Sequence, residues 1–168
     1  MAITPTIRVS GMDEVLINLN KELRKTKAKT KKGMISAGIF IQGESQRRTP
    51  RALGNLINSA FTVWDGGYES TPKFKDDPGT SGIAGKMAKD HTTVIAEERA
   101  KLTGQKMAVE VGNSAYYALY VHEDMQASHT KVDKEGKSFQ QGQAKFLFAA
   151  LEENLNAILS IIKGVVKR

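Results

Sequence analysis

The chain has 168 residues, 40% apolar and 26% charged, which suits a single domain (1–168) with a sizeable core. It has no cysteine, and that excludes disulfides, thiolate metal sites and a cysteine nucleophile. The formal net charge is +7, and residues 21 to 32 alone hold seven bases against one acid, so one stripe containing Lys25, Lys27, Lys29 and Lys31 carries most of the excess. Such a stripe either meets phosphate or an acidic protein surface or serves as a solvated helix face.

In chain order, residues 1–10 read as a strand or arm, with Ile3, Ile7 and Val9 apolar and Pro5 favouring an edge. Asp13 is of N-cap type, and a helical pattern follows to about Arg48. Leu16, Leu19, Leu23, Met34, Ala37 and Ile41 form one stripe, with Thr26 and Thr30 making its middle polar. After Lys32 the apolar residues lie almost all round, so this half is expected to be buried on several sides. Gly33, Gly38 and Gly43 allow close approach of other backbones, or a break that would give two helices in series. Thr49-Pro50 ends the pattern, because the residue before proline avoids the helical region.

Ala52 to Ile57 reads as a short helix or turn and Ala60 to Trp64 as a strand closed by Asp65-Gly66-Gly67. Residues 66–90 are polar and rich in charge, glycine and proline, and are expected to be a mobile loop. Thr92 to Ala96 and Lys106 to Val111 read as strands. Gly112 is expected to turn the chain, and Asn113 or Ser114 to cap an aromatic helix. In that helix Tyr116 and Tyr120 share one face, and Ala115, Ala118 and Leu119 another. Tyr117 and the alanine–leucine face are expected in the core, while Tyr116, Tyr120 and His122 are candidates for an interface. Residues 124–143 form a second expected mobile loop. From Ala144 one amphipathic helix is expected, with Leu147, Leu151, Leu155, Ile158, Ile162 and Val165 on a core-facing stripe.

Nothing here points to chemistry. His122, Glu123, Asp124 and His129 are metal-ligand types, but no two histidines share helical ligand spacing, so no metal and no other cofactor is expected. No serine stands in a Gly-x-Ser-x-Gly turn. Gly82-Ile83-Ala84-Gly85-Lys86-Met87 lacks the spacing and the hydroxyl residue of a phosphate loop. The chain is therefore read as a non-enzyme. It shows no apolar run after a basic start, so no signal peptide is expected. With no stretch of about 18 apolar residues, it is not expected to cross a membrane. The fold expected is α+β: a small antiparallel sheet packed against a long N-terminal helix and a C-terminal helix, with two mobile loops.

Three segments, taken in order, carry a resemblance. They are Thr49-Pro50-Arg51-Ala52-Leu53-Gly54-Asn55-Leu56-Ile57-Asn58-Ser59, then Val109-Glu110-Val111-Gly112 leading to Tyr116-Tyr117-Ala118-Leu119-Tyr120-Val121-His122, then Lys145-Phe146-Leu147-Phe148-Ala149-Ala150-Leu151. Over residues 10 to 165 this order resembles the tail-completion (head–tail joining, or neck) proteins of long-tailed bacteriophages. The resemblance implies a structural virion protein assembled in the host cytoplasm. It would form a homo-oligomeric ring, sixfold by that resemblance, with other neck and tail proteins as neighbours and DNA passing by. The two loops would order on assembly, leaving the free protein monomeric or weakly associated. The lysine stripe keeps a second class open, a basic nucleic-acid-binding protein, although no aromatics interleave with the bases for stacking.

Overall fold

The computed structural model describes residues 12–105, 107–127, 129–132, 134 and 136–167. The expected N-terminal strand or arm, residues 1–10, lies outside them. The architecture is α+β. Helix α1 (Met12–Arg48) is followed by the short α2 (Asn55–Asn58), the hairpin β1 (Ala60–Trp64) and β2 (Gly67–Ser70), and helix α3 (Ile83–Lys101). Then come β3 (Val109–Asn113), α4 (Ala118–Glu123), a small hairpin of β4 (Thr130–Val132) and β5 (Ser138–Gln140), and the helices α5 (Phe146–Glu152) and α6 (Leu155–Lys167). β1 lies in the middle of an antiparallel sheet of order β2-β1-β3, with Trp64 opposite Gly67 and Phe61 opposite both Ser70 and Gly112.

The alternation along β1 sorts the two faces of the sheet. Phe61 and Val63 point to α3, where they form a buried cluster with Ile95 and Leu102. Thr62 points to α1, where its hydroxyl donates to Gln42 Oε1 at 2.6 Å while Gln42 Nε2 donates to the Ala60 carbonyl at 3.3 Å. This buried polar tether is fully partnered, as burial of polar groups demands. α1 is one unbroken helix. Gly33 and Gly38 do not break it but admit neighbours: an added Cβ would stand 3.0 Å from Ile162 Cα of α6 and 2.7 Å from Val109 Cγ1 of β3. α6 runs antiparallel along α1, and Arg48 closes the pair by binding Glu44 at 2.7 Å and Glu153 at 2.6 Å.

Several expectations are corrected. Residues 66–90 hold β2 and the first turns of α3, and residues 124–143 hold the β4–β5 hairpin. Thr92 to Ala96 is helical, not a strand, because Met87, His91 and Ile95 recur at four-residue steps on one buried face. Gly112 does not turn the chain. It sits in β3, where a Cβ would meet the Phe61 ring at 3.0 Å, so its lack of a side chain seats that ring. The C-terminal helix is two helices, tightened at their junction by Asn154 N–H donating to the Leu151 carbonyl three residues back. Leu155 is 52% exposed, so the stripe expected to be core is carried inward by Ile158 instead.

His91 is a core residue that the sequence reading passed over. It is buried, between Ser70 Oγ on Nε2 and Ser114 Oγ on Nδ1, each at 2.5 Å, with Phe61 and Phe74 edge-on to its ring. It thereby joins β2, α3 and the end of β3. Burial holds its imidazole below the ordinary 6.5. Between the folded and unfolded values the unfolded chain binds more protons, so stability rises with pH in that window. The contribution is whole above about pH 6.5 and is lost as pH falls from there through the folded value. Glu110, whose carboxyl is pushed up by burial and then by Glu98, has the opposite sign: it costs stability as pH rises above 4.5. Thermal melts between pH 5 and 7.5 should therefore show a downward slope toward acid that flattens in His91→Gln. An equal slope in that variant would remove His91 as its source.

Candidate interaction surface

The three segments singled out in the sequence converge on one core. Leu56 of α2, Ala115 and Ala118 of the aromatic unit and Phe146 of α5 pack together with Met87 of α3, and Tyr117, Val121 and Leu147 lie against them. Asn113 and Ser114 do not cap the aromatic helix. Asn113 Nδ2 donates to the Leu56 carbonyl at 2.9 Å, and Ser114 holds His91. Both residues thus fasten the end of β3, and α4 starts later, with Tyr117 at its N-cap and no side-chain capping bond.

This anchoring fixes what α4 presents. Tyr116 is 83% exposed, Tyr120 74% and Leu119 73%. Leu119, expected in the core with Ala118, stands with the tyrosines instead. Tyr116 lies edge-on to Tyr117, with ring centres 5.1 Å apart, so its exposed position is defined by a packed neighbour. It borders two hollows. One, of about 440 Å³, runs to Pro50, Arg51, Leu53 and Asn55; the other, shallow and about 750 Å³, holds Leu119, Tyr120, Glu123 and Asp124.

His122 turns away from the tyrosines. Its ring packs edge-on to Phe146 at 4.9 Å, and Nδ1 meets Glu123 Oε1 at 2.7 Å. Nε2 is buried with no hydrogen-bond partner among the described residues. The ring lines an apolar groove of about 380 Å³ with Ile41, Val111, Leu147, Phe148 and Leu151. Glu123 also pairs with Lys145, and these two partners, Lys145 first, hold its carboxyl below the usual range. Among the described residues no three His, Asp or Glu side chains gather so as to hold a metal ion. No helix among them is long and apolar enough to cross a membrane.

The lysine stripe is not uniform. Lys25 pairs with Glu22 at 2.7 Å and, like Lys27, is exposed, while Lys29 is half-buried. Lys31 serves the fold: its Nζ donates to the Asp65 carbonyl at 2.8 Å and so pins the β1–β2 turn to α1. Every residue from 13 to 28 is exposed, so this part of α1 is a free-standing arm. The arm carries apolar residues as well as bases: Val15, Leu16, Ile17, Leu19 and Leu23 are 49–67% exposed. A second bare apolar stripe, Phe148, Leu151, Leu155 and Leu159, runs over α5 and α6. The sequence places Leu151 and Leu155 on a stripe expected in the core; periodicity is the signal, and nothing in it tells whether a partner face is present.

No protein-family model, no curated protein and no solved structure matches this chain.

Proposed function

We propose that this chain is a contact protein of a phage particle: a joining subunit in the neck, between the head-side connector and the tail, acting as one member of a homo-oligomeric ring and without chemistry of its own. The observation that carries the reading is the face of Tyr116, Leu119 and Tyr120, held almost fully exposed by a helix whose other side is fastened into the core. Clustered large apolar side chains at a surface mark an interaction site, and tyrosine is favoured there because it joins apolar area to a polar tip. The kind of particle comes from the order of the three segments, whose convergence on one core supports reading them as one unit. The virion location follows from the same proposal.

The test is a variant with Tyr116→Ser, Leu119→Ser and Tyr120→Ser. Because all three side chains are exposed, it should melt with the native protein. Supplied as the only copy during particle assembly, it should leave filled heads and tails unjoined in electron micrographs. Normal particles would reject the tyrosine face as the joining surface. The exposed Lys25 and Lys27 on the arm favour a second reading, a nucleic-acid-binding protein. Tight duplex binding by the native chain that falls steeply with salt, and is lost with Lys25→Gln, Lys27→Gln and Lys29→Gln, would support it instead. Lys31 is left unchanged because the fold uses it.

A further inference from the structure

We propose that the arm of α1, residues 13–28, docks on a second copy of this chain, lying antiparallel along the bare Phe148–Leu151–Leu155–Leu159 stripe of that copy. The inference deepens the ring reading and rests on it only for closure of the contacts into a ring.

The arm's apolar face is the continuation of a face already used for helix pairing. At 3.6 residues per turn, Leu16, Leu19 and Leu23 fall on the same side of α1 as Gly33, Ile41 and Arg48. Gly33 lies against Ile162 of α6, and Arg48 is where Glu153 is bound. α6 has only 13 residues against 37 in α1, so it covers the C-terminal part of that face and leaves the arm bare. What suits the bare part is therefore another helix with an apolar stripe, running antiparallel to α1 as α6 does.

The stripe on α5 and α6 has that form. Ile158 is buried, while Phe148, Leu151, Leu155 and Leu159 are 43–55% exposed along the same pair of helices. Leu16 to Leu23 and Leu151 to Leu159 each span about two helical turns, roughly 11–12 Å. Charge then chooses the direction. The arm is acidic at its start, with Asp13 and Glu14, and basic at its end, with Arg24, Lys25 and Lys27. The stripe is acidic beside Leu151, with Glu152 and the Arg48-bound Glu153, and basic beyond Leu159, with Lys163. Antiparallel docking sets bases on acids at both ends. Parallel docking sets like charges together, which is destabilising. The resulting register places Leu23 near Leu151, Leu19 near Leu155 and Leu16 near Leu159.

The occupant is a second copy and not the same one. Within one chain the arm is a rigid extension of α1, and Leu19 lies fourteen residues, about 21 Å, before the position where Ile162 crosses. The arm cannot fold back to its own α6. Arm and stripe are different surfaces, so the contact is heterologous and propagates from copy to copy until it closes. Two turns on each side fall in the small class of interfaces, under about 1,200 Å². A single contact is accordingly weak, and closure makes the later ones intramolecular.

The absence of cysteine gives a clean test. Leu19→Cys and Leu155→Cys are prepared as separate variants, checked for native melting, mixed and oxidised. A mixed 19–155 disulfide is expected, well above that of Leu19→Cys with Thr93→Cys, an exposed site on α3 across the sheet. Leu16→Cys with Leu159→Cys should cross-link as an independent pair. Leu155→Asp should keep the native melting temperature and lose the concentration-dependent association of the native chain in sedimentation velocity. Cross-linking of position 16 to 151 in place of 159 would overturn the orientation. The absence of any arm-to-stripe disulfide above the position-93 background, in free protein and in particles alike, would overturn the contact. A cross-link in a protein that particles do not incorporate would keep the contact and reject the neck reading. Incorporation without the cross-link would do the reverse.

Discussion

Replacing Phe146 by alanine is expected to lower the free energy of unfolding by about 3–5 kcal/mol. Phe146 is 1% exposed and is, among the described residues, the largest side chain buried to that degree. It packs where Leu56, Met87, Ala115 and Ala118 meet, so its removal opens a cavity shared by α2, α3, α5 and the approach to α4. It also supplies the ring against which His122 lies. The neighbours are anchored independently, α2 through Asn113 and the β3 end through His91, and so have little freedom to collapse into the space. Urea unfolding of the native and variant proteins measures the loss. Phe146→Leu, which keeps most of the volume, should cost markedly less. A loss below about 1 kcal/mol for the alanine variant would show that these segments do not share a tight core.

Gly142→Ala is expected to destabilise by a similar amount, on the order of 3 kcal/mol or more. The segment after β5 passes the end of α1, where Gln143 N–H donates to the Arg48 carbonyl at 2.8 Å. Gly142 makes that crossing with φ +94°, a conformation that L side chains rarely adopt. A Cβ there would stand 2.4 Å from both Cα and N of Pro50. Backbone atoms cannot rotate aside as a side chain can, so either the crossing or the end of α1 must move. Gly43→Ala is the matched control: it is helical, a Cβ there meets nothing within 4 Å, and it should stabilise by about 0.5–1 kcal/mol. Equal melting of Gly142→Ala and the native chain would refute the close crossing.

Much of the fold was legible because it rests on local rules. Pro50 stops α1 at Arg48, and the Ala60–Trp64 strand stands where its apolar residues and the Asp65-Gly66 turn put it. Tyr116 and Tyr120 were interface candidates by residue type, and both are exposed, although Tyr116 precedes α4 and is not placed by its spacing. Local rules failed where two readings of one residue compete. Val94 and Ile95 favour a strand by type, but the Met87, His91, Ile95 spacing lets a helix cover β1, and His91 disguised that face because its burial depends on two serines distant in sequence. Gly112 looks like a turn until Phe61 is placed opposite it.

By itself, then, the sequence determined which segments are helical or extended over most of α1, β1, β3 and the C-terminal helices, and which faces of them are apolar. Only the tertiary structure decided which of those faces are covered. Leu19 and Ile41 belong to the same stripe of α1, yet Leu19 is exposed while Ile41 lines a groove against α5. Leu155 and Ile158 belong to the same helix, yet Leu155 is half-exposed while Ile158 is buried. Periodicity is a property of one segment; burial requires a second segment of matching length at that place, and α6 ends before the arm of α1 begins.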